Sequence, residues 1–459
     1  MTISILGVIL SLVLLIYLAY RGISVLILAP IMALLATVIG GGAPIMATYT
    51  EIYMPNLANY IKLYFPLFLL GAIFGKVMDD SGAAKSISLF IINKLGKTKS
   101  ILAIVLSCGI LTYGGISLFV VAFAIYPIGA TLYRESGIPK RLLPASIAFG
   151  SFTFTMTALP GSPQIQNAIP MQFFGTNIYA APVLGIIAAA IIFGFGMFWL
   201  TREAKKAAAK GEGYGDHKEV INMFETANLP HVLIALLPIL IVFAFNAILL
   251  YGVFPRMDMS YLGASPFNTT IARVQGNWAL IISLIAGIIV CIISSRKNFL
   301  NPKESLNNGA MGSLLPVLNT ASEVGYGNVI ASLAAFAVIK TFFTEISPNI
   351  LVNQAVTISA LAGITGSASG GLSIALGVMG ETFLQRANEI GLSPQVLHRV
   401  ASISCGWLDT LPHNGAVITL LGITGLTHRQ AYKDIGICTI VGPTIAVVVI
   451  IFLARFGIV

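Results

Sequence analysis

In WLDTLPHNGAVITLL, residues 407–421, Asp409 and His413 stand four positions apart around Pro412. At that spacing an acid and an imidazole share one face of a helix, whereas a helix broken at Pro412 would leave Asp409 free to cap the next one. A carboxylate beside a histidine is a pair in which either group can be brought to titrate near neutrality, which is the chemistry of proton coupling. Glu323, in NTASEVGYGN (319–328), is a rival carrier. Only 9% of the chain is charged, and ionisable groups set into apolar segments commonly mark ion or proton pathways.

A second set of residues is polar but uncharged. Thr157, Ser162, Gln164 and Asn167 cluster in TMTALPGSPQIQNAIP (155–170), and Ser367, Ser369, Thr410 and Asn414 fall in ITGSASGGLSIALG (364–377) and DTLPHNGAV (409–417). Each stretch interrupts an apolar run with proline or glycine. Serine and threonine in apolar helices also bond back to their own backbone. Collected at helix breaks, they suit a small oxygen-rich solute: half-helix N-termini offer partial positive charge to a carboxylate, and hydroxyls and amides reach a substrate hydroxyl. No arginine or lysine lies in these breaks. That disfavours a phosphorylated sugar or tricarboxylate, which calls for a guanidinium clamp, and leaves a small monocarboxylate.

The elements that carry these residues belong in a membrane. Apolar residues make up 57% of 459 positions and mean hydropathy is +0.91, more greasy surface than a soluble core could hide. A spanning helix needs roughly 20 predominantly apolar residues, and such windows recur at 2–20, 23–40, 178–200, 229–253, 277–295 and 435–456. The first lacks a preceding basic residue and a small-residue cleavage site, so it reads as a retained helix rather than a signal peptide. The net charge of +9 sits in particular loops: Lys76, Lys85, Lys94, Lys97 and Lys99, then Arg202, Lys205, Lys206, Lys210 and Lys218. Those loops should be cytoplasmic by the positive-inside rule. Residues 41–60 and 161–177 carry no lysine or arginine and should face outward or lie within the membrane, which puts the N-terminus outside. Charge alone leaves the second half unoriented, since 341–399 has few basic residues.

Several apolar runs are too long for one crossing and are broken inside: 100–133 at Gly114 and Gly115, and 309–340 at Glu323 and Gly325-Tyr326-Gly327. Irregular backbone at membrane depth is tolerated only where protein or a water-lined cavity satisfies it. Two membrane repeats, 1–200 and 229–459, are expected on either side of a polar linker, 201–228. Paired interrupted segments in corresponding positions point to the midplane site of a secondary transporter. Cys108, Cys291, Cys405 and Cys438 show no metal-like spacing and read as small core residues. GAIFGKVMDDSGAAKSIS (71–88) is not a phosphate loop: its glycines are one residue too close, no Ser or Thr follows Lys76, and no strand precedes it. Gly71 and Gly75 are instead expected to form a small-residue packing face. There is no HExxH, Gly-x-Ser-Gly or Gly-x-Gly-Asp, the nearest being Gly406-Trp-Leu-Asp409, so an enzyme is not expected, nor a cofactor or bound metal.

Four stretches carry a resemblance over nearly the full length: GKVMDDSGAAKSIS (75–88), GGISLFVVAFAIYPIGATLYRESGIPKRLLP (114–144), TALPGSPQIQNA (157–168) and DTLPHNGAVITLLGITGLTHRQAY (409–432). Through them the chain resembles the gluconate permease (GntP-type) family of the ion transporter superfamily, closest to its 3-hydroxybutyrate or short hydroxy-acid permease branch. Where gluconate permeases follow Gly-Gly with Ile-Pro-Leu-Phe-Phe-Asp, this chain reads Gly114, Gly115, Ile116, Ser117, Leu118, Phe119, Val120, without the acid. The resemblance implies an all-α polytopic membrane protein of two inverted repeats, with discontinuous helices, re-entrant hairpins and about 11–14 membrane segments. It also implies a homodimer in a bacterial cytoplasmic membrane, whose transport domains move against a scaffold. The expected activity is symport of a small hydroxy-monocarboxylate such as D-3-hydroxybutyrate with protons by alternating access. Gluconate, or sodium in place of the proton, are the alternatives, and a channel is the alternative of a different class. Gly115 and Ser117 join the substrate-binding set, and Asp409, His413 and Glu323 form the cation-coupling set.

Overall fold

The computed structural model describes residues 2–40, 44–217, 229–299 and 301–459. The start of the 41–60 stretch and the linker from Lys218 to residue 228 lie outside them. All regular structure among the described residues is helical. Five helical runs are long and apolar enough to cross a membrane by length and composition: Ile45–Asp80, Pro182–Ala209, Val232–Arg256, Ile271–Ser294 and His428–Ala454. Others are shorter apolar helices or bent pairs. Their outward faces leave side chains such as Phe198, Leu240 and Ile293 exposed, as lipid contact requires.

One series of elements occurs twice. The first runs Thr2–Tyr20, Val25–Gly40, the long Met54–Asp80, Ala83–Leu95, Ser100–Tyr113, Leu118–Glu135, the broken pair Leu142–Phe152 and Ile165–Phe174, and Pro182–Ala209. The second runs Val232–Ala247, Ile271–Ser294, the long Pro302–Ser332, Ala334–Glu345, Ile350–Thr365, Ala368–Glu389, the broken pair Pro394–Ser404 and Gly415–Thr424, and His428–Gly436 continuing to Gly442–Ala454. The long helices lie against each other, with Gly309 on the Ile73 backbone and Gly325 on Tyr53. The series interlock. Val25–Gly40 packs on Pro302–Ser332, and from the preceding helix, Thr2–Tyr20, Ser11 Oγ lies 3.0 Å from Tyr326 OH. Reciprocally, Ile271–Ser294 packs on Met54–Asp80.

The second series is inverted relative to the first. At one end of the molecule Lys97 pairs with Glu135 at 3.0 Å, and Arg141 pairs with Glu212 at 2.8 Å and with Asp434 at 2.7 Å. This is the basic end. It holds the open end of the hairpin Ser100–Tyr113/Leu118–Glu135, closed by Ser100 Oγ and Ser136 Oγ at 2.6 Å, and the C-terminus of Pro182–Ala209. The opposite end holds the start of that helix, where Val183 N donates to Val459 O at 3.3 Å. There Ala181 N also donates to Gln395 Oε1 at 3.1 Å, so the hairpin Ile350–Thr365/Ala368–Glu389 opens on this side. Two hairpins therefore enter from opposite ends.

Two expectations are corrected. Pro302–Ser332 passes without a break through Glu323 and Gly325-Tyr326-Gly327, and the chain turns only at Leu333, in extended backbone. These glycines are sites of close approach: a Cβ at Gly325 would strike Tyr53 and one at Gly327 would strike Ile374. In the proposed packing face, Gly75 does admit Ile116 and Ser117, whereas Gly71 has nothing within 4 Å. All four cysteines are buried and free, and Pro182–Ala209 extends past residue 200 before the polar stretch begins.

Candidate functional site at the paired helix breaks

Each hairpin tip is a short turn made by a glycine that can take positive φ, Gly115 at +97° and Gly366 at +63°. Each tip is then capped by a side chain from the broken helix of its own series. In the first, Gln164 Nε2 donates to Thr112 O at 2.7 Å and to Ile116 O at 3.2 Å, and Pro163 lies over Gly115. In the second, Asn414 Nδ2 donates to Gly366 O at 2.8 Å and His413 Nε2 to Gly363 O at 2.9 Å. Carbonyls orphaned where a helix stops at depth are thus satisfied by amide and imidazole groups. Half-helices begin at Leu118, Ile165, Ala368 and Gly415, so four N-terminal dipole ends serve the breaks.

The remaining candidates divide into those consumed locally and those left free. Thr157 bonds back to Thr153 O at 3.1 Å. Thr410 pairs with Thr439 at 2.7 Å. Ser367 caps its helix through Gly370 N at 3.1 Å, and Ser369 Oγ is 3.5 Å from Thr320 Oγ1. Asn167 Nδ2 holds Ser162 O and Ile178 O at 2.8 and 2.9 Å, while Ser162 Oγ is buried without a partner. Ser117 occupies the N-cap of Leu118–Glu135 but makes no side-chain cap bond.

Asp409 and His413 are not bonded to each other. Residues 405–414 form turns rather than helix, so the four-residue spacing does not align them. Asn414, not Asp409, caps the following helix, through Val417 N at 2.9 Å. The imidazole is spent on the hairpin tip. Asp409 is 5% exposed and, among the described residues, its Oδ1 has no partner and no cation is bonded to it. Glu323 stands on the other side of the second tip, its carboxylate pressed against Gly370.

The breaks of the two series meet where a Cβ at Gly406 would touch Thr157. This junction is pinned by two residues that the sequence reading passed over, His398 and Arg399. Arg399, 0% exposed, donates Nε and Nη2 to Ala180 O at 3.1 and 2.7 Å, and Nη1 to Thr157 O at 3.3 Å and Asn167 Oδ1 at 3.2 Å. His398 Nε2 reaches the same Asn167 Oδ1 at 3.0 Å, and its Nδ1 meets Thr176 Oγ1 at 2.6 Å. An acceptor on one nitrogen and a hydroxyl on the other suit the Nε2–H tautomer. The available signal was an adjacent His-Arg in QVLHRVASIS, the piece leading into the Asp409 break. These residues lie before the break, and the break itself, 409–417, carries no lysine or arginine.

No family model matches the chain. A Bacillus subtilis (strain 168) protein named as an uncharacterised transporter, YxjC, is 46% identical over 98% of this chain and 99% of its own length. The chain belongs to this transporter family. A Haemophilus influenzae protein, also named as an uncharacterised transporter, is 35% identical over 42% of each chain. Two solved structures share the transporter's fold. The Alcanivorax borkumensis YdaH transporter aligns with a TM-score of 0.52 over 98% of this chain and 96% of its own, at 14% identity. Neisseria gonorrhoeae MtrF, described as illuminating a class of antimetabolite efflux pumps, aligns at 0.54 over 94% of both, at 12% identity. The chain is thus a multi-pass membrane transporter and not an enzyme.

Proposed function

We propose that this transporter carries a small hydroxy-monocarboxylate, such as D-3-hydroxybutyrate, together with protons by alternating access, as members of the gluconate permease-type families do. The observation that carries this reading is the state of Arg399. The Arg399 guanidinium at the junction of the breaks is already committed to oxygens of the protein, so an anion bound there meets helix N-termini, hydroxyls and amides instead. That environment matches a single carboxylate plus a hydroxyl and is poorly suited to a polyanion. Asp409, buried with an unpartnered oxygen, is the proposed proton carrier, and His413 holds the second tip in register.

The hairpins entering from opposite ends supply the two gates. Rocking the tips and broken helices as a body against the paired long helices would expose the site first to one end and then to the other. The basic end is assigned to the cytoplasm of a bacterial cell, and a homodimer would provide a fixed scaffold for such movement.

The test is uptake of labelled D-3-hydroxybutyrate into proteoliposomes under an imposed pH gradient or an imposed sodium gradient, for wild type and Asp409→Asn. Uptake driven by the pH gradient and lost in the variant is expected. Uptake of gluconate but not hydroxybutyrate would overturn the substrate assignment. A variant that still follows the pH gradient would remove Asp409 from coupling.

A further inference from the structure

Near Glu323 several buried side-chain oxygens have no hydrogen-bond partner among the described residues. Glu323 is 6% exposed and its Oε2 has no hydrogen-bond partner. The same holds for Tyr53 OH, Tyr60 OH, Ser322 Oγ and Ser373 Oγ, on residues each 4% exposed or less. They lie on three packed elements: Tyr53 and Tyr60 at the start of the long helix Met54–Asp80, Ser322 and Glu323 on Pro302–Ser332, and Ser373 one turn past Gly370, where Glu323 Oε2 and Ser367 Oγ both crowd the helix. Buried polar atoms are nearly always satisfied, so a buried carboxylate oxygen and unpartnered hydroxyls on the helices packed around it point to a shared partner. Tyr60 cannot swing away, since its ring packs on Tyr64 at 4.7 Å and on Phe68 at 6.4 Å.

We infer that Glu323, with the hydroxyls of Tyr60, Ser373 and Ser322, forms a sodium-binding site between the long helices and the second hairpin. The donors are all oxygen, one of them anionic, which suits a hard monovalent cation and offers nothing to a softer metal. Coordination would replace hydration at depth and offset the uncompensated carboxylate. The site lies against Gly370 and Ser367, whereas His413 and Asn414 hold the same tip from the other side through Gly363 O and Gly366 O. Occupancy would therefore brace the tip on which the substrate site depends. A cation here also changes the energetics of the proposed cycle, on which this part of the inference rests. A monoanion crossing with one proton is electroneutral, whereas adding a sodium ion moves one net positive charge and lets the membrane potential drive accumulation.

Binding is tested without substrate, so that this inference and the hydroxy-acid reading can fail separately. Purified protein in detergent is melted in NaCl against KCl at equal ionic strength. Wild type should gain about 3 °C at a hundredfold excess of sodium over its dissociation constant. Glu323→Gln should lose the shift, Ser373→Ala and Tyr60→Phe should reduce it, and Asp409→Asn should keep it. The hydroxyl variants provide the measurement if Glu323→Gln does not fold. No sodium-specific shift in wild type, or an undiminished shift in Glu323→Gln and Ser373→Ala, would overturn the site. A shift that follows pH but not sodium would assign Glu323 to a proton and equally overturn it. In proteoliposomes, Glu323→Gln should lose stimulation by a sodium gradient while Asp409→Asn loses stimulation by a pH gradient.

Discussion

Replacing Arg399 by lysine keeps the charge and most of the apolar stem but removes the planar fork, so it isolates the geometry that joins the two series. The cost follows from who else serves each acceptor. Thr157 O also accepts from Ser402 Oγ at 2.9 Å, and Ile178 O, which takes Arg399 Nη2 at 3.4 Å, also accepts from Gly161 N at 2.8 Å and Asn167 Nδ2 at 2.9 Å. Ala180 O, by contrast, accepts only from Arg399 among the described residues. One lysine ammonium cannot reach Ala180 O together with Thr157 O and Asn167 Oδ1 across a side chain that is 0% exposed. The loss is then one buried orphan acceptor, about 1–3 kcal/mol, plus roughly one charge-assisted bond that lysine does not regain, about 1.5 kcal/mol. We expect about 3 kcal/mol in all. With about 2.1 cal/mol/K of unfolding entropy per residue over 459 residues, that corresponds to a fall of about 3 °C in melting temperature. Thermal unfolding in detergent measures it, with the exposed Arg429→Lys as control and no shift expected there. If Arg399→Lys melts within about 1 °C of wild type and keeps its uptake kinetics, the guanidinium is not the pin between the breaks.

Other perturbations have sharper signs. Gly371→Ala would force a Cβ into the Ala362 backbone across the second hairpin and should leave no folded protein in the membrane fraction. Gly377→Ala, on the same helix with nothing within 4 Å, should be neutral or stabilise by up to about 1 kcal/mol; equal yields of the two would contradict the packing. Gln164→Ala strips Ile116 O of its side-chain donor and should cost about 1–3 kcal/mol, read as a lower melting temperature and a raised KM for uptake. At the basic end, Arg141→Ala should cost about 2 kcal/mol, because Asp434, with its side chain 2% exposed, loses its bonded cation and, among the described residues, keeps Trp199 Nε1 at 3.0 Å. Glu212→Ala, whose side chain is 40% exposed, should cost under about 1 kcal/mol.

Composition and hydropathy alone determine that this chain lives in a bilayer, because no other solvent accepts so much apolar surface. Some of its proline and glycine interruptions likewise mark where helices stop at depth, as at Leu159-Pro160 and Gly366, whereas Gly325-Tyr326-Gly327 lies inside a continuous helix. Those are properties of local backbone and of transfer from water, and both are legible residue by residue. The orientation of the second half was not legible, since few lysines or arginines mark its loops; it was decided by contacts such as Ala181 with Gln395 and Arg141 with Asp434. The spacing of Asp409 and His413 suggested a pair, yet the turn at 405–414 separates them, because periodicity governs direction only while the helix continues. Arg399 and Glu323 took their places through tertiary packing: one is enclosed by carbonyls far away in sequence, the other is pressed onto a hairpin tip by the pairing of two long helices. A buried charge takes its role from whichever dipoles the fold brings around it, and those dipoles belong to segments that no local pattern connects.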